Sequence, residues 1–160
     1  QVSLQIGNGE TLDFEDETFD GGYSQHVTMN IKNRKEFFLE AFRVLKKETF
    51  FAFSEHGLGP KGNPIFPLPW ADTSEMSFLL SPESTISLLK EIGFYDIQII
   101  ETSEKYISGY EKMIDNKSKK DKPILGIHVI GGATMKQRSI NSMKSIKEKR
   151  TLPFEIVCKK

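Results

Sequence analysis

The sequence predicts an α/β protein: an open sheet of mostly parallel strands with helices packed over it. Two observations lead there. Phe19 to Tyr23, Asn33 to Lys47 and Thr49 to Phe53 read as strand, helix and strand at the spacing of a parallel crossover unit. Both strands run into polar clusters, Ser24-Gln25-His26 and Ser54-Glu55-His56. Such clusters mark the carboxyl edge of a sheet, where open α/β sheets bind their ligands.

The elements follow in order. Val2 to Ile6 alternates apolar and polar residues like a strand, and Gly7-Asn8-Gly9 ends it, either as a plain turn or as backbone that approaches a ligand closely. An acidic loop from Thr11 to Thr18 precedes the Phe19 to Tyr23 strand. Gly21 and Gly22 are unusual inside a strand, and either close approach of a neighbour or drift at an edge accounts for them. Phe37, Phe38, Ala41, Val44 and Leu45 mark the buried face of the Asn33 to Lys47 helix. Asn33 is its expected N-cap, and Lys46 and Lys47 suit its C-terminal dipole. The apolar run of Thr49 to Phe53 suits a strand covered on both faces. Gly57 to Leu80 is a long loop whose prolines and aromatics point to an ordered cover. Its Trp70 and Phe66 either shape a site or pack on the core.

Ser81-Pro82-Glu83 opens a helix that Gly93 closes. Phe94 to Glu101 reads as a strand, Ser103 to Asn116 as an amphipathic helix, and Lys117 to Lys122 as a solvated connector. Pro123 to Gly132 is apolar and contains His128. Thr134 is a candidate cap for a helix from Met135 to Lys149, and Leu152 to Cys158 reads as a last strand.

Composition narrows the function. A length of 160 residues is that of one domain, and a net charge of +0 gives no electrostatic reason for nucleic acid or an anionic membrane as partner. The single cysteine, Cys158, excludes an intrachain disulfide and fits a reducing, cytoplasmic setting. No apolar run reaches the roughly 20 residues of a membrane span, and no secretory signal is visible. No metal site is expected. The chain opens on Gln1 and enters a strand-like run at once, as expected of a segment of a larger fold.

The segment Gly7-Asn8-Gly9-Glu10-Thr11-Leu12-Asp13-Phe14, then Phe19-Asp20, then Arg43-Val44-Leu45-Lys46-Lys47, resembles the class I S-adenosylmethionine-dependent methyltransferases. The subgroups it is most similar to are the ubiquinone/menaquinone-biosynthesis and sarcosine/dimethylglycine methyltransferase-like types. Ser24 to Asn30, Pro67 to Ala71 and Ser77 to Glu83 resemble the loops of those subgroups. The departures are Asn8 for Asp, Gly9 for Ala, Asp13 for Pro, and Lys47-Glu48-Thr49 for a Pro-Gly-Gly turn. The glycine-rich cofactor loop, which the family places upstream of Val2, is not found in this sequence.

The resemblance implies a Rossmann-like methyltransferase fold, C-terminal portion, strands 3 to 7 of the family order 3-2-1-4-5-7-6. Residues 1–160 would form a partial methyltransferase domain, with 57–80 and 103–132 as acceptor-side cover segments. The implied function is methyl transfer from S-adenosylmethionine to a small-molecule amine or carbon nucleophile, the segment alone being inactive. The alternative is a non-catalytic methyltransferase-fold module that binds or oligomerises. Asn8 and Gly9 would contact adenine, while Ser24 and Gln25 would face the methionine and sulfonium. Met29, Asn30, Trp70, Phe78 and His128 would line the acceptor pocket. His26, whose imidazole titrates near neutrality, is either the general base or a packing histidine at a strand end. Strands 1 and 2 would lie between strands 3 and 4, so an unpaired edge is expected, and with it either self-association through that edge or a rebuilt N-terminal strand.

Overall fold

The structure, a computed structural model, describes residues 2–115 and 134–160. Four strands form one sheet: β1 (Phe19–Gln25), β2 (Leu45–Leu58), β3 (Tyr95–Glu101) and β4 (Thr151–Lys159), in the order β1-β2-β4-β3. β1 runs parallel to β2, and β4 is antiparallel to both β2 and β3. This is the 4-5-7-6 part of the expected order, with the last strand of the chain reversed. Among the described residues the α-helices are α1 (Arg34–Val44), α2 (Pro82–Ile92), α3 (Ser103–Asp115) and α4 (Met135–Lys147).

The core lies where α1 and α2 meet the sheet: Phe38, Leu89, Phe94, Phe51, Phe53, Phe154 and Ile156 are buried together. Strand alternation places Phe51, Phe53 and Glu55 on this face and His56 on the other. On that other side α3 and α4 pack against each other and against β4.

Local rules explain α2 fully. Ser81 Oγ accepts from Ser84 N at 3.2 Å, Pro82 sits in the first turn, and Gly93 takes the left-handed conformation at φ 118°. Other elements depart from expectation. Val2 to Ile6 is not a strand, and Val2, Leu4 and Ile6 are 85%, 93% and 101% exposed. Its alternation has nothing to pair with, because among the described residues no strand lies beyond β1. Asn33 makes no side-chain cap; its amide donates to Glu10 Oε2 at 3.0 Å instead. α1 ends at Val44, because Leu45 already pairs with Phe19 of β1. Arg43, not Lys46 or Lys47, is therefore the cation of its last turn. Gly21 is explained by a neighbour, since a Cβ there would lie 2.6 Å from the Phe50 ring.

β2 does not stop at Phe53. It pairs with β1 only as far as Ser54, opposite Gln25, yet stays paired with β4 through Leu58. Ser54-Glu55-His56 thus lies inside a strand that has outrun its neighbour, and the space left at that step holds the candidate site.

Candidate functional site

The step is pinned from both sides. His26 N donates to Ser54 O at 2.9 Å, the last bond beyond the β1 ladder. His26 itself holds a left-handed backbone, φ 52°, a conformation uncommon outside glycine but one in which histidine is enriched. The chain then turns through a short 3-10 segment, Thr28–Asn30. Thr28 is buried and its hydroxyl donates to Glu55 Oε2. Glu55 is fully buried and also meets Arg34 Nη1 at 2.8 Å and the Thr85 hydroxyl at 3.4 Å. One carboxylate thus ties together β2, the turn, α1 and α2. Arg34 is equally buried, and its Nε and Nη2 have no hydrogen-bond partner. The pair therefore serves geometry more than stability, since buried charge carries a desolvation cost.

On the opposite face of β2 a cavity of about 700 Å³ opens, within the range of small-molecule sites. His26 and His56 both line it, with ring centroids 5.8 Å apart. Trp70, from the proline-rich loop, stacks on His56 at 4.6 Å, and its indole N–H is held by Ser77 Oγ at 2.9 Å. Tyr106 of α3 meets His56 edge-on at 4.9 Å, and its hydroxyl lies 2.7 Å from His26 Nε2. Met29, Pro69, Tyr110, Met113 and Met135 complete an apolar wall, and Lys105 supplies its one cation among the described residues.

Burial sets the electrostatics. His56 is pushed down to about 3, by burial first and then by the neighbouring His26, so its ring is neutral. His26 is lowered by burial against an opposing pull from Glu155. Tyr106 is pushed up to about 12, chiefly by burial, and stays a phenol at neutral pH. The cavity therefore presents neutral imidazoles and neutral hydroxyls.

A second hollow, about 350 Å³, runs along the α1 side of β1. Gly9, Leu12, Phe19, Ser24, Phe37 and Phe51 are among its lining residues. Its only side-chain hydroxyls among the described residues are those of Ser24 and Tyr23. A Cβ at Gly9 would lie 2.9 Å from the Phe37 ring, so glycine lets this loop approach α1. Asn8 is exposed, and its Oδ1 accepts from Glu10 N at 3.0 Å. The groove fits the flat, apolar base of a nucleoside at Gly9 and Leu12. Among the described residues lining it there is no cation for an amino-acid carboxylate and no carboxylate for a ribose, so the fit covers one end of S-adenosylmethionine only.

The structure thus brings His26, Met29 and Trp70 into one cavity, and Gly9 and Ser24 into the neighbouring groove. Gln25 and Asn30 are exposed and line neither hollow. Phe78 is partly buried and binds the turn through its backbone, donating to Met29 O at 2.9 Å, without lining the cavity. His128 lies outside the described residues. Sequence reasoning missed His56, Tyr106 and Tyr110 as site residues. His56 stood in a polar cluster already noticed, but its burial depends on how far β1 extends. Tyr106 and Tyr110 read as the apolar face of a helix, and the face was right: that face is the cavity wall.

Residues 1–53 match the sequence profile of the family described as methyltransferase domain. The biotin biosynthesis bifunctional protein BioHC of Teredinibacter turnerae is 34% identical over 98 residues, which are 58% of this chain and 16% of that protein. Among solved structures, Haemonchus contortus phosphoethanolamine N-methyltransferase 2, with phosphomonomethylethanolamine and S-adenosylhomocysteine, superposes with a TM-score of 0.77 at 15% identity, over 97% of this chain and 36% of that one. A sarcosine dimethylglycine methyltransferase-type protein of Galdieria sulphuraria gives 0.75 at 17%, over 97% and 58%. Geranyl diphosphate C-methyltransferase of Streptomyces coelicolor, with Mg2+, geranyl diphosphate and S-adenosylhomocysteine, gives 0.71 at 13%, over 97% and 52%. The chain therefore spans less than two-thirds of each of these proteins. No described helix is long and apolar enough to cross a membrane.

Proposed function

We propose that this chain, a class I S-adenosylmethionine-dependent methyltransferase by its fold and by the sequence match over residues 1–53, forms the acceptor side of an enzyme that methylates a small-molecule amine or carbon nucleophile. The observation that carries this reading is the meeting of the β1 corner with the stretch of β2 that runs past it: His26 and His56 open on one cavity, beneath Trp70. The cofactor is S-adenosylmethionine, which supplies a methyl group already activated by a sulfonium. Gly9 and Ser24, with Asn8 and Gln25 at the margins, are the residues of this chain that would hold it.

What remains for the protein is placement. Holding two reactants in line at contact distance is worth about 7–11 kcal/mol of barrier. The Glu55–Arg34–Thr28 cluster fixes the turn that carries His26 and Met29, and the Trp70–His56 stack fixes the opposite wall. The apolar wall suits an apolar acceptor body, and an aromatic face attracts a cationic amine. His26, kept neutral by burial, is available to take a proton from an acceptor that carries one. Residues 57–80 and the described part of 103–132 act as covers, with Pro69 and Trp70 from the first and Tyr106, Tyr110 and Met113 from the second among the wall residues.

Calorimetric titration with S-adenosylhomocysteine tests the reading, applied to this chain and to any longer product of the same gene. The expected result is no measurable heat with this chain and micromolar binding with a longer product. Tight binding by this chain would show the cofactor site to be misplaced, and no binding by either would remove the methyltransferase reading.

A further inference from the structure

We propose that Tyr106 and His26 work as a proton-relay pair, in which the Tyr106 hydroxyl receives the acceptor's proton, and that the acceptor atom is an oxygen or nitrogen whose hydrogen meets that hydroxyl. The inference rests on the reading above and narrows it: the atom that is methylated and the atom that gives up its proton to the phenol oxygen are one and the same, an O–H or N–H.

Geometry carries the argument. Tyr106 Oη and His26 Nε2 are 2.7 Å apart in the wall of the cavity, and no other described residue bonds that nitrogen. A neutral imidazole has one bare nitrogen and one N–H. With Tyr106 as donor, the bare nitrogen is Nε2 and it is covered by the phenol, so an acceptor cannot reach it directly. The atom left open to the cavity is the phenol oxygen, which still has lone pairs to accept a hydrogen bond. Tyr106 resists ionisation and His26 is unprotonated at neutral pH, so the resting pair is phenol and imidazole.

Transfer then balances without a further reagent. The acceptor's lone pair bonds to the methyl carbon, and the electrons of the broken carbon–sulfur bond stay on sulfur. The acceptor's proton passes to Tyr106 Oη as the phenol proton passes to His26 Nε2. The products are a methylated heteroatom, a neutral phenol and an imidazolium. His56 does not compete for that proton, because it is buried beside His26 and pushed down to about 3. Glu155 favours charge on His26.

The test needs no turnover. The chain has 3 histidines, so their ring resonances can be followed one by one in NMR titrations. The His26 midpoint is expected to lie below its ordinary value and to rise in Tyr106→Phe. Tyr110→Phe, in the same cavity but bonded to Ser142, should leave it in place. As probes, 4-propylphenol should bind at least tenfold more tightly than propylbenzene, and that preference should vanish in Tyr106→Phe. An unmoved His26 midpoint, or equal binding of the two probes by the unaltered chain, would overturn the pair. The second comparison needs no variant to fold. Should the protein prove not to transfer methyl groups, these readings still stand or fall on their own.

Discussion

The cavity beyond the end of β1 and the groove along the edge of β1 lie on the same strand yet are built differently. The cavity draws its walls from the β1 corner, β2, the proline-rich loop, α3 and α4, and its polar groups meet one another: His26 with Tyr106, Trp70 with Ser77, Tyr110 with Ser142. The groove is lined mostly by apolar residues of β1, α1 and β2, beside a strand whose outer edge is unpaired among the described residues, and Tyr23 in its lining is 79% exposed. The first is a site whose contacts lie within this chain. The second offers surface and backbone to something else. The comparison teaches that the two hollows are separable in this fold, one on each side of the Ser24-Gln25-His26 corner.

The largest expected effect is on the cavity side. Glu55→Ala would leave Arg34 buried and unpaired, and losing one partner of such a pair costs about 3–5 kcal/mol. Urea unfolding would read it. A loss under about 1 kcal/mol, the level of an exposed pair, would mean that the corner is not pinned as described.

Next comes pH. His56 binds its proton far less readily folded than unfolded, so the unfolded chain takes up more protons between its ordinary value of 6.5 and about 3. Stability contributed by the neutral, buried ring is complete above 6.5 and is lost as pH falls through that window. Urea midpoints should thus drop from pH 7.5 to 4.5, and His56→Gln should flatten that slope. An unchanged slope would place His56 in water.

The smallest expected effect on stability is on the groove side. Tyr23→Lys puts a charge on an exposed edge strand, a substitution within about 0.5 kcal/mol of neutral. Charge on such an edge discourages strand pairing. If the free edge recruits a second copy, sedimentation should show concentration-dependent association that the lysine abolishes. A chain that stays monomeric at every concentration would remove self-association from the account.

How much of this was legible in the sequence depended on range. α2 was readable end to end, because Ser81, Pro82 and Gly93 act within one turn of themselves. The β1 corner was readable from a polar triplet at a strand end, although the same signal at Ser54-Glu55-His56 lies inside β2, and the order β1-β2-β4-β3 followed from the family resemblance. Val2 to Ile6 shows the limit: alternation describes a strand's faces, while its existence needs a partner that only the whole sheet supplies. Asn33 shows another, since a capping side chain was taken by Glu10, far away in sequence. His56 and Tyr106 were present as letters in a polar cluster and an apolar stripe. Their meeting depends on β2 running past the end of β1, and no local pattern records the difference in length of two strands.

The account's central claim is that the β1 corner and the overhang of β2 share one cavity beneath Trp70. It is tested most directly by nuclear Overhauser spectra among aromatic ring protons in the unliganded chain. Cross-peaks are expected between His56 and Trp70, whose rings lie 4.6 Å apart, between His56 and Tyr106 at 4.9 Å, and between Tyr106 and His26 at 5.7 Å. Cross-peaks that join Trp70 to other rings, with His26 and His56 connected to neither Tyr106 nor each other, would contradict it.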